Sequence, residues 1–77
     1  MATKSRNGID LAALRAASGL NQTDFWSKFG VSQSCGSRYE SGRRMPMPIG
    51  ILIRAWSDRL IDDAALAALL RKVRRAR

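Results

Sequence analysis

Three features of this 77-residue sequence predict an all-α fold of five helices. Leu and Ala dominate the apolar residues, and β-branched residues never form the run that a strand needs. Apolar residues recur at three- and four-residue steps. Glycines at positions 19, 30 and 42 fall where those helical stretches stop.

Residues 1–7 read as a flexible basic arm, and 8–77 as one domain. The first helix is expected from Ile9, with Leu11, Leu14, Ala17 and Ser18 on its inner face. Gly19 closes it and Leu20 folds back onto it. Asn21 is placed to cap a second helix over residues 22–29, its side chain accepting from the amide of Asp24, with Phe25, Trp26 and Phe29 turned inward. Gly30 and Val31 form the turn into a third helix over residues 33–41, capped by Ser32 and ended by Gly42. A basic connector, Arg43 to Pro46, leads to a fourth helix that starts near Pro46 or Pro48 and carries the stripe Ile49, Leu52, Ile53, Trp56 and Leu60. The fifth helix, over 62–75, opens on Asp62 and Asp63. It runs through Leu66, Leu69, Leu70 and Val73 into Arg71, Lys72, Arg74, Arg75 and Arg77, so acid at its start and base at its end both suit the helix dipole.

Composition narrows the partners. Lys and Arg number 14 against 6 Asp plus Glu, for a net charge of +8, which points to a polyanion such as nucleic acid or an acidic membrane face, with simple solubility as the alternative. A single cysteine excludes an internal disulfide, and the absence of histidine excludes a zinc-finger ligand set. No signal-peptide core or membrane-spanning run is present, so a cytoplasmic location without membrane attachment is expected. The carboxylates are scattered and no nucleophile has a base beside it. Catalysis is not expected, nor is a metal, cofactor or small-molecule ligand.

The stretch from Leu14 to Pro46 carries the motifs. Leu14-Arg15, Gly19 to Gln22, Phe29 to Ser32, Ser37 to Glu40, Gly42, Arg44 and Pro46 stand in the register of the Cro/CI-type (XRE) helix-turn-helix regulators, which this sequence resembles over about 50 of its 77 residues. The resemblance implies a five-helix lambda-repressor-like domain with the helix-turn-helix at helices two and three. The implied activity is sequence-specific repression from double-stranded DNA, of the small phage, prophage or anti-CRISPR-associated kind. It places base contacts at Gln33, Ser34, Ser37 and Arg38, and phosphate contacts at Asn21, Gln22, Ser32, Arg43 and Arg44. The residue chemistry agrees, since glutamine reads adenine edges and arginine reads guanine. An ordinary solvated helix face is the alternative. Arg15 and Glu40 are implied to pair across helices one and three, a structural role with no part in reading DNA.

Two departures from the family pattern stand out. Trp26 replaces a small residue and Gly36 replaces Val or Ile, at positions that face each other across the elbow. A glycine inside a helix costs about 1 kcal/mol relative to alanine, and volume exchange with the indole is the expected reason. Cys35 reads as a small filler rather than a redox thiol, and Tyr39 and Trp56 read as core.

Helices four and five are richer in apolar residues than so short a chain can cover, which predicts a twofold dimer through residues 49–73 with Leu66, Leu69, Leu70 and Val73 in contact. The leading expectation is a homodimeric autorepressor on an inverted-repeat operator in its own promoter. The alternative is an antitoxin that binds operator DNA and wraps a toxin with its C-terminal segment. An RNA binder lacks exposed aromatics for base stacking.

Overall fold

The computed structural model describes residues 10–76, so the expected basic arm and Ile9 lie outside the described residues. Five helices follow one another without a strand among the described residues: α1 Leu11–Ser18, α2 Gln22–Ser27, α3 Gln33–Glu40, α4 Met47–Ser57 and α5 Asp63–Arg75.

The caps decide most of the boundaries. Asp10 accepts from the Ala13 amide at 3.1 Å, Asn21 from Asp24 at 2.8 Å, Ser32 from Cys35 at 3.2 Å and Asp62 from Ala65 at 2.8 Å, each satisfying a first-turn N–H that has no partner within its helix. At the other end of α1, Gly19 adopts φ 77°, a left-handed conformation that glycine enters without a Cβ clash. Pro46 precedes α4 and Pro48 sits in its first turn, where a missing N–H costs nothing.

Three expectations about the first, second and fourth helices change. The second helix ends at Ser27, not at Phe29, because the amides of Lys28, Phe29 and Gly30 turn to carbonyls three residues back, at 3.3, 3.0 and 3.1 Å. Phe29 remains buried from this tight turn. Leu60 is not part of the α4 stripe. The helix stops at Ser57, Arg59 takes φ 62°, and Leu60 is left 77% exposed. On α1, Ala17 faces outward while Leu11 is buried and Leu14 packs partly against the core.

The core comprises Leu11, Phe25, Trp26, Phe29, Val31, Ile53 and Leu66, so all the elements except α3 contribute a large buried side chain. α3 contributes a backbone, with Gly36 buried. Phe25 makes edge contacts with Trp26, Phe29 and Trp56 at centroid distances of 5.3, 5.3 and 5.9 Å, an arrangement that suits aromatic quadrupoles. Across the α2–α5 seam, Lys28 donates to Asp63 at 2.9 Å and lies 4.5 Å above the Trp56 ring, whose own N–H reaches Asp63 at 2.8 Å.

Leu66 was expected at a dimer contact, but it is buried at 2% exposure in the chain's own core and is therefore not open to a second copy. Leu70 is half-buried, its methyl 3.3 Å from where a Cβ on Gly30 would stand. Leu69 and Val73 stay outside at 46% and 61% exposure.

Candidate nucleic-acid interface

α2, the turn through Gly30 and α3 form the helix-turn-helix. The turn holds because Gly30 takes φ 74° and the Val31 amide returns to the Trp26 carbonyl at 3.1 Å. α3 then leaves the elbow with two unlike sides. Gly36 lies buried beneath it, with Cys35 and Tyr39 half-buried beside it. Gln33, Ser34 and Arg38 are exposed, and Ser37 is half-buried between them. Their spacing of one, three and one residues keeps these four on one helical face.

The expected base-contacting side chains are thus brought together. Of the expected phosphate contacts, Asn21 and Ser32 spend an oxygen on capping, which leaves the Asn21 Nδ2 hydrogens and the Ser32 hydroxyl hydrogen free to donate outward. Arg43 and Arg44 are exposed just past the left-handed Gly42, φ 106°. Neither they nor Arg38 forms an ion pair with another described residue.

Beneath this face runs a network that sequence reasoning found only in part. Arg15 Nε and Nη2 donate to the two oxygens of Glu40 at 2.8 and 3.1 Å, a two-pronged pair linking α1 to α3. Two further donors converge on the same carboxylate, the Trp26 indole N–H at 2.8 Å and Gln22 Nε2 at 3.3 Å. Gln22 Oε1 in turn accepts from Gln33 Nε2 at 2.7 Å. Gln22, expected to hold a phosphate, is therefore bonded on both ends within the fold and has one amide hydrogen left to offer. The sequence carried a signal for the missed contact, because a fully buried indole must find an acceptor for its N–H.

The electrostatics follow. Burial alone would raise the Glu40 pKa, but the hydrogen bonds from Arg15, Trp26 and Gln22, and then the charge of Arg15, hold it below its ordinary value. Glu40 is a fixed anion at neutral pH. No group of three or more metal-ligating side chains occurs among the described residues, and no helix among them is long and apolar enough to cross a membrane.

The comparisons with known proteins agree with this geometry. The family model of the RsaL-like HTH domain matches residues 12–55, more than half of the chain. A solved structure of the quorum-sensing repressor RsaL of Pseudomonas aeruginosa is similar, with a TM-score of 0.72 and 46% sequence identity over 77% of this chain and 87% of the other. No curated protein matches. The matched segment holds both helices of the elbow, the Arg15–Glu40 pair and the exposed face of α3, and the chain belongs to the RsaL-like helix-turn-helix family as a DNA-binding regulator, not an enzyme.

Proposed function

We propose that the chain is a transcriptional repressor that works as a homodimer, each copy laying α3 in the major groove over one half of an inverted-repeat operator in its own promoter. The carrying observation is the face of α3: Gln33, Ser34 and Arg38 stand exposed together, with Ser37 between them, and just beyond lie the cations Arg43 and Arg44, which form no ion pair among the described residues. Such a helix fits a major groove, where glutamine and arginine can each make two-point contacts with a base edge. Asn21, Gln22, Ser32, Arg43 and Arg44 fix the register on phosphates. Repression is favoured by the likeness to a quorum-sensing repressor. That likeness also makes a quorum-sensing circuit the first setting to test, ahead of the phage or anti-CRISPR operon the sequence suggested.

Dimerisation is supported by the exposed Leu69 and Val73 on α5. Two copies related by a twofold axis would place their α3 helices about 34–36 Å apart, one turn of DNA. The test is a footprint on the gene's own promoter. Protection of two half-sites one turn apart, lost in Arg38→Ala, is expected. Uniform protection of random DNA would overturn the reading, and so would a hetero-complex with a different protein as the only dimer formed.

A further inference from the structure

We propose that Trp26 is a specificity-determining positioning residue, whose buried indole N–H fixes, through Glu40 and Gln22, the direction in which Gln33 presents its amide to a base pair. The inference rests on reading Gln33 as a base contact.

The relay follows from donor and acceptor counting. An ionised carboxylate only accepts. Glu40 Oε2 accepts from Arg15 Nε and from the Trp26 indole, both at 2.8 Å, while Oε1 accepts from Arg15 Nη2 at 3.1 Å and from Gln22 Nε2 at 3.3 Å. Because Glu40 offers no hydrogen, Gln22 must turn its amino group inward, which leaves Oε1 as the atom that meets α3. Gln33 must then point an N–H at it, at 2.7 Å. One amide hydrogen and the carbonyl of Gln33 remain for an adenine edge, which requires one donor and one acceptor.

Trp26 holds the far end of this relay. Arg15 reaches Glu40 from α1 with a side chain that is 26% exposed, whereas Trp26 reaches it from α2, the helix that also carries Gln22. The indole is fully buried and wedged under Gly36, and it donates from a fixed position. Filling the volume beneath Gly36 needs only a ring. The N–H is a separate requirement, which points to the orientation of Glu40.

The experiment therefore replaces the donor and keeps the ring. Trp26 is exchanged for 3-benzothienylalanine, in which sulfur stands for the N–H, with Trp26→Phe as a second variant. Binding is measured to the selected operator, to operators changed one base pair at a time, and to random duplex. Gln33→Ala identifies the base pair that Gln33 reads. The expected result is a loss of preference at that base pair of roughly three- to tenfold, the size of one hydrogen bond, with binding to random duplex unchanged and no further loss in the Gln33→Ala background. Retained preference would overturn the proposal, as would a loss spread evenly over all operator positions. If Gln33→Ala itself changes no base preference, the base-reading role of Gln33 fails first and the relay with it.

Discussion

Trp26 and Gly36 share one volume: a β-carbon on Gly36 would overlap the indole Cγ and Cδ1 of a side chain that is itself fully buried. The relationship reverses the usual sign of a helix substitution. Gly→Ala inside a helix ordinarily stabilises by about 1 kcal/mol, but Gly36→Ala must push a rigid ring against a packed core and should destabilise by about 1–3 kcal/mol. Trp26→Ala should cost about 3–5 kcal/mol through its cavity. In the double variant the new methyl has room, so the combined loss in chemical denaturation should fall short of the sum. Strict additivity would mean that the two residues do not compete for space.

Glu40 gathers four hydrogen bonds from three residues, and its removal strands all of them. Glu40→Ala should destabilise by about 3 kcal/mol, the lower end of the range for a broken buried pair because Arg15 keeps some contact with solvent. Because the folded carboxyl sits below its ordinary value of 4.5, its stabilisation is complete above that value and is lost as pH falls through the folded value. Asp63 behaves alike from 3.8, lowered first by the Lys28 hydrogen bond and then by Trp56. Thermal melts of the unmodified protein should hold steady from neutrality to about pH 5 and then decline. Glu40→Gln should start lower and lose less stability over the same acid range. An unchanged slope in that variant would assign the acid sensitivity elsewhere.

Much of this was legible in the sequence for local reasons. Asn21, Ser32 and Asp62 cap helices through their own side chains, and Gly19 and Gly42 end them through a conformation that other residues avoid. The Trp26–Gly36 exchange was legible because an unexplained helical glycine asks what fills its place. The misreadings share one cause: periodicity gives a face but not an end or a depth. Phe29 follows Phe25 by four residues whether the chain is helical or turning, and Leu60 follows Trp56 by four although Arg59 has already reversed the chain. Leu66 and Leu69 fall on one apolar stripe, yet the first is core and the second is surface. The meeting of Trp26, Gln22 and Arg15 on Glu40 joins residues up to 25 positions apart, and no local rule reports it.

DNA binding should separate the cations by position. Arg43 and Arg44, exposed beyond α3, should act on phosphates. Changing either to Ala should weaken operator and random DNA alike and reduce the slope of log affinity against log salt by about 1. Arg38→Ala should instead cost about 1–3 kcal/mol on the operator and relax preference at one base pair. Competition assays at several salt concentrations distinguish the two classes. A salt-insensitive affinity would mean that the +8 charge serves another partner.

The dimer can be tested without disturbing the fold because α5 is divided by depth. Leu66 lies in the core at 2% exposure, so Leu66→Asp should unfold the chain rather than separate two copies. Leu69 and Val73, at 46% and 61%, lie four residues apart on one outer face and are not among the buried residues of the core. Glutamine is the right replacement at both, since aspartate would also subtract positive charge and weaken DNA binding for an unrelated reason. Leu69→Gln with Val73→Gln should keep the helical signal and the melting temperature of an isolated chain while shifting sedimentation from dimer to monomer. Operator affinity should then fall steeply, because each half-site must be bound separately, while binding to a single half-site stays as it was. A stable monomer of the unmodified protein at micromolar concentration, with full operator affinity, would sink the dimer.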